Sequence, residues 1–120
     1  MNTGHILVVD DEPDIRILLK EILEDEGFEV TTAENARQAR ESRRHRRPDL
    51  VLLDIWMPDT DGISLLKEWS DGGHVDVPVI MMSGHGTVET AVEATRLGAY
   101  DFIEKPLSIA KLDRKSTRLN

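Results

Sequence analysis

Asp49-Leu50-Val51-Leu52-Leu53-Asp54-Ile55-Trp56-Met57-Pro58 is the stretch on which the reading of this chain turns. Four apolar residues run unbroken into a carboxylate. So short a run, apolar on both faces, suits a strand buried in a parallel sheet with helices on either side. Asp54 then falls at the carboxyl end of that strand, where open α/β sheets gather their ligands. Pro58 and the turn formers Asp59-Thr60-Asp61-Gly62 follow at once, so the chain leaves the sheet there. An acid closing such a strand is either a helix-capping loop residue or a reactive group, and the residues around it have to decide.

On the N-terminal side, His5-Ile6-Leu7-Val8-Val9 reads as a second short buried strand, running into Asp10-Asp11-Glu12-Pro13. Proline suits the first turn of a helix, and acids there favour its positive end. Ile15, Leu18, Leu19, Ile22 and Leu23 recur at helical spacing, predicting a helix from Pro13 to about Glu26 that Gly27 terminates. Phe28 to Thr32 is a strand, and a helix follows through Ala33 to about Arg46, stopped by Pro48. Beyond Asp54, Ile63, Leu65, Leu66 and Trp69 mark a helix over Gly62 to Asp71. Val77 to Met82 is a strand ending at Ser83, with Pro78 near its start, where a missing donor matters least. Thr87 to Leu97 is a helix ended by Gly98, Ala99 to Ile103 is a strand, and a last helix begins near Leu107.

Five strands alternating with five helices define an α/β fold, a single doubly wound parallel sheet. Right-handed crossovers leave few topologies, and the flavodoxin-like strand order 2-1-3-4-5 fits 120 residues. Hydrophobic residues at 39% and charged residues at 32% describe an ordinary globular domain. No apolar run is long enough for a bilayer and the first residues do not form a signal peptide, so no membrane partner is expected. The absence of cysteine excludes disulfides and thiolate metal sites and makes the cytoplasm the default location. A net charge of −8 argues against direct contact with nucleic acid and is compatible with binding a cation. The arginines at 37, 40, 43, 44, 46 and 47, scattered by helical spacing, read as a solvated face.

In a parallel sheet the carboxyl ends share one edge, which collects Asp10, Asp11, Asp54, Ser83 and Lys105. Adjacent first and third strands bring the three aspartates together. Two carboxylates about 4 Å apart repel by roughly 1–4 kcal/mol at dielectrics between water and a protein surface. Such a cluster is protonated, paired with Lys105, or bound to a divalent cation. Hard oxygen donors without His or Cys suit Mg²⁺, which often co-binds phosphate oxygens. A carboxylate there can attack phosphorus, with the Lys105 ammonium on one phosphate oxygen and the Ser83 hydroxyl donating to another. Each residue alone has an ordinary explanation: helix-start electrostatics for Asp10-Asp11-Glu12, a solvated lysine, a loop serine. Their joint placement at four strand ends favours a phosphoryl-accepting site.

Ile6 to Glu12, Leu53 to Gly62, Ser83-Gly84 and Lys105-Pro106, taken in order, resemble the receiver domain of two-component response regulators. The resemblance spans roughly residues 5 to 112. It implies Asp54 as phosphoacceptor and Mg²⁺ held by Asp10, Asp11, Asp54 and the Trp56 backbone carbonyl. It further implies Lys105 as the phosphate-binding cation, with Ser83 and Phe102 as switch residues. The implied partners are a sensor histidine kinase and a second copy bound through the fourth helix, fifth strand and fifth helix. Ser83 to Ala91 and Gly98 to Phe102 look like the nitrogen-regulator class, whose members usually continue into a sigma-54-activating ATPase and a helix-turn-helix domain. On that reading the chain is a detached N-terminal receiver controlling a missing transcriptional output. It is a signalling domain that catalyses its own phosphorylation and dephosphorylation rather than an enzyme. Glu12 reads as helix-start or outer-layer, His85 as a surface loop residue, and Trp56 as a shield for an acyl-phosphate. Residues 1–112 form the domain. Residues 113–120, where the apolar stripe of the last helix is lost, read as a polar tail, either foreign or a truncated last helix.

Two rivals fit less well. A haloacid-dehalogenase-type hydrolase usually carries a second Asp two residues after its nucleophile, where this chain has Trp56. A flavodoxin's first loop should be rich in hydroxyl and glycine residues, whereas Asp10-Asp11-Glu12 would repel a phosphate unless a metal intervened.

Overall fold

The structure is a computed structural model and describes residues 4–70, 77–83 and 88–104. Five strands, β1 (His5–Val9), β2 (Glu29–Ala33), β3 (Leu50–Asp54), β4 (Val79–Ser83) and β5 (Asp101–Glu104), form one parallel sheet in the order 2-1-3-4-5. Between them lie α1 (Pro13–Asp25), α2 (Ala36–His45), α3 (Gly62–Ser70) and α4 (Val88–Arg96). The expected doubly wound topology is the observed one. The expected helix from Leu107, the tail 113–120, Lys105 and His85 lie outside the described residues.

The unbroken apolar runs are explained by burial on both faces. Every residue of β1, β3 and β4 is buried, whereas β2 and β5 at the edges are only partly so. Alternation divides these residues between two cores. Leu7, Val9, Val51, Leu53, Val79 and Met81 meet Ala36 and Ala39 of α2, Leu65 and Leu66 of α3, and Ala94 of α4. Ile6, Val8, Leu50, Leu52, Ile80 and Met82 meet Leu19 and Leu23 of α1 from the other side. Leu18, expected on the inward stripe of α1, is instead 41% exposed.

Boundaries differ from expectation where a cap or turn outweighs local propensity. Ala33 is not helical: it closes β2 opposite Val9, and its carbonyl accepts the Asp10 N–H at 3.0 Å. Helix α2 starts later because Asn35 caps it, the Asn35 side chain accepting the Gln38 N–H at 2.8 Å. Phe28 lies before β2, its N–H donating to the Leu23 carbonyl to close the turn that ends α1 across Gly27, which has φ 97°. Pro78 lies just outside β4, and its carbonyl accepts the Val51 N–H at 3.0 Å. Strand β5 starts at Asp101 because Gly98 and Ala99 turn back onto Thr95 and Ala94 to close α4.

The arginines of α2 are not simply solvated. Arg40 makes a two-pronged contact with Glu68 of α3, at 2.8 and 2.9 Å. The Arg43 guanidinium lies 4.6 Å from the centre of the Trp69 ring, and Arg46 pairs with Glu29 of β2. Bidentate pairing and ring stacking both use the planar fork of arginine.

Candidate functional site at the carboxyl edge of the sheet

Beyond the paired residues Val9 and Leu53, the two adjoining strands deliver Asp10 and Asp54. Asp54 pairs in register with Met82, and Ser83 follows opposite Glu104. Asp10 and Ser83 are fully buried and Asp54 is 3% exposed. Among the described residues only one other polar side chain, His5, is comparably buried, and it lies at the opposite edge. Burying a polar group is costly unless it is satisfied. Its concentration at one edge therefore marks a site and not random packing.

The carboxylates of Asp10, Asp11 and Glu12 gather within 4.8 Å of one another. Glu12, read from sequence as outer-layer, thus joins the group, while Asp54 stands beside it on the next strand. Asp11 and Glu12 are exposed, so the cluster opens to water on one side. An all-oxygen, carboxylate-rich donor set fits a hard divalent cation such as Mg²⁺.

Asp10 is held from several directions. Its Oδ1 accepts the Glu12 N–H at 2.9 Å, turning the chain back toward α1. Its carbonyl accepts from Arg16 Nη1 at 2.7 Å, and the same guanidinium lies 3.8 Å from Glu34, the residue after β2. Arg16 gave no signal in the sequence. A lone arginine early in a helix resembles any solvated position until the fold turns it back over the loop it follows.

The loop after β3 is fixed with equal care. Gly62 N–H donates to the Ile55 carbonyl at 2.6 Å, closing the loop on itself. Asp61 caps α3 through the Ser64 N–H at 2.8 Å. Asp59 reaches across to α2, where its two oxygens accept the Ala36 and Arg37 N–H groups, both at 3.1 Å. Partial desolvation pushes the Asp59 carboxyl up, but those donors and the Thr60 N–H outweigh it and hold it below its ordinary pKa. Trp56 is 58% exposed. Phe102 is half-buried, packed against the core under α2, α3 and α4.

Fold, buried acids and carboxylate cluster together define an α/β domain with an acidic site at the carboxyl edge of its sheet, and comparison with known proteins identifies its family. Residues 6–116 match the response regulator receiver domain, and the chain belongs to that family. It is 51% identical over 109 residues to the nitrogen assimilation regulatory protein NtrX of Azorhizobium caulinodans, covering 89% of this chain and 24% of that protein. It is 39% identical over 109 residues to the DNA-binding transcriptional regulator NtrC of Escherichia coli, covering 91% and 23%. The chain thus spans about a quarter of the curated relatives it matches. The crystal structure of the receiver domain of NtrX from Brucella abortus superposes with a TM-score of 0.87 at 51% identity, covering 95% of this chain and 96% of that one. The beryllofluoride-activated NtrC4 receiver domain dimer superposes with a TM-score of 0.88 at 38% identity, covering 96% and 94%. These relatives are regulators of the sigma-54 activator class, as the resemblance implied. Receiver domains take phosphate from histidine kinases and bind Mg²⁺ in an acidic pocket, and the Asp10-Asp11-Glu12 cluster has that chemistry. No helix among the described residues is long and apolar enough to cross a membrane.

Proposed function

We propose that this chain is the phosphoacceptor of a two-component pathway, with Asp54 receiving the phosphoryl group from a partner histidine kinase. The observation carrying this reading is the burial of Asp10, Asp54 and Ser83 on three neighbouring strand ends, with the carboxylate cluster beside them. An Asp54 carboxylate oxygen forms the bond to phosphorus as the bond to the kinase's histidine nitrogen breaks. The leaving electron pair stays on the imidazole, and the product is an acyl-phosphate. Asp10, Asp11, Asp54 and the Trp56 carbonyl would hold Mg²⁺, which supplies positive charge to the phosphoryl oxygens. Ser83 donates its hydroxyl to a phosphoryl oxygen and Lys105 offers its ammonium to another. Trp56 covers the acyl-phosphate, and the same site later hydrolyses it.

The added negative charge draws Ser83 toward the phosphate. Phe102, which has no hydroxyl, follows through ring packing. The responding surface is α4, β5 and the fifth helix, through which two copies meet and a transcription-regulating output domain is controlled. The dimeric state of the beryllofluoride-activated NtrC4 receiver domain supports pairing of two copies. The domain works in the cytoplasm without touching DNA itself. Intact-mass measurement after incubation with acetyl phosphate tests the chemistry. One phosphoryl group is expected with Mg²⁺, none with EDTA and none in Asp54→Ala. An adduct of equal yield in Asp54→Ala overturns the assignment.

A further inference from the structure

The first turn of α2 is tied to both acidic loops of the site. From the β3–α3 loop, Asp59 spreads its two carboxylate oxygens over the Ala36 and Arg37 N–H groups, both at 3.1 Å. From the β1–α1 loop the link runs through Arg16, whose side chain is mostly buried. One of its nitrogens donates to the Asp10 carbonyl at 2.7 Å, and the other lies 3.8 Å from Glu34 Oε2. Gln38 in turn fastens Glu34 to α2. Its amide oxygen accepts the Glu34 N–H at 3.0 Å, and its amide nitrogen donates to Glu34 Oε1 at 3.1 Å. The Asp10 and Asp54 loops therefore share an anchor that belongs to neither.

The loop after Asp54 is closed at its base, where the Ile55 N–H donates to the Met82 carbonyl and the Gly62 N–H donates to the Ile55 carbonyl. Between these points Trp56 is 58% exposed, and Pro58 has no N–H to donate. Asp59 gives this span its hydrogen bonds to an element remote in sequence.

We propose that Asp59 and Arg16 are positioning residues for the cation site. Through the first turn of α2 they fix the Asp10–Asp11 carboxylates relative to the Asp54–Trp56 segment, and so set the affinity for Mg²⁺. This rests on the reading above that Asp10, Asp11, Asp54 and the Trp56 carbonyl are the ligands; neither positioning side chain is among them. An ion held by two loops must freeze their relative motion, and tethers that have already done so leave that cost out of binding.

The test is Mg²⁺ titration of the whole chain, followed by the Asp11 and Trp56 amide signals in ¹⁵N–¹H NMR. Asp59→Ala removes one tether. Arg16→Lys keeps the positive charge but lacks the planar fork that spans Asp10 and Glu34. Each is expected to bind Mg²⁺ about fivefold more weakly than wild type, just below the range of roughly 10–100-fold seen when groups directly supporting a ligand are lost. Ala91→Gly, in the middle of α4, destabilises the fold about as much as losing a helix cap and should leave the affinity unchanged. In about 1 M KCl, where exposed charges are screened beyond about 3 Å, the Asp59→Ala ratio should persist, because it reflects position and not the lost charge. The proposal is overturned if Asp59→Ala or Arg16→Lys binds as tightly as wild type, if the Asp59→Ala ratio collapses in high salt, or if Ala91→Gly weakens binding equally. Wild type that binds no Mg²⁺ overturns the ligand assignment itself, and this proposal with it.

Discussion

A Cβ placed on Gly62 would stand 2.2 Å from the Asp54 carbonyl oxygen and 3.0 Å from the Ile55 Cα. Both neighbours are backbone and cannot swing aside, so only glycine lets the loop close against the end of β3. Gly62→Ala should therefore destabilise the domain by about 1–3 kcal/mol, the usual range for an overpacked site. Urea unfolding measures it, and an unchanged midpoint would contradict the close approach. Gly62 was legible as a turn glycine beside Asp61, but the reason no other residue fits was not. Asp54, by contrast, stood out only in company: alone, an acid closing an apolar strand could equally cap a helix, and it was the polar residues at the other strand ends that favoured a site. Arg16 lies at the other extreme: its contact with the Asp10 carbonyl has no counterpart in its local sequence.

At the scale of elements, α2 begins with two caps from different parts of the chain. Asn35 supplies the local one, and Asp59, in the loop following Asp54, supplies the other. Removing it in Asp59→Ala should cost about 1 kcal/mol near neutral pH, the typical value of a helix cap. The pH dependence has a definite sign. The folded state holds the Asp59 carboxyl below its ordinary value of 3.8, so its stabilisation is complete above that value and disappears as pH falls through the lower, folded pKa. Wild type and Asp59→Ala should accordingly differ in urea midpoint at pH 7 and converge in strong acid. A gap that persists there would mean Asp59 acts through packing instead. The sequence marked Asp59 as a turn residue, which it also is, since its Oδ1 accepts the Thr60 N–H at 2.8 Å. Its second role spans more than twenty residues and leaves no periodic trace.

At the scale of the whole molecule, two cores share one sheet. Leu52 faces the α1 side and Leu53 the α2–α4 side, and both are fully buried. Because the strand between them is common, neither core can melt alone. Leu52→Ala and Leu53→Ala should each lower the same single unfolding transition, by about 2–5 kcal/mol for a buried Leu→Ala change. Calorimetry that resolved two transitions in either variant would show the layers to be independent. The charge distribution is also a property of the whole: an acidic carboxyl edge around Asp10 and Asp11, and a basic flank on α2. Read as a list, the arginines of α2 suggested only solvation. The partners that turn Arg40 and Arg43 into one wall of a groove lie on α3.

The sequence by itself determined the parallel sheet, its strand order and the acids at its carboxyl edge. Each of these follows from short runs: apolar stretches of strand length, helical spacing between them, and polar residues where the runs stop. Tertiary structure alone decided that Glu12 joins the carboxylate cluster, that Arg16 anchors Asp10, that Asp59 caps α2, and that Arg43 covers Trp69. The last three depend on a side chain from one element meeting the backbone or ring of another. Periodicity reports which face of an element is buried, and carries no record of what a polar side chain will find across the gap.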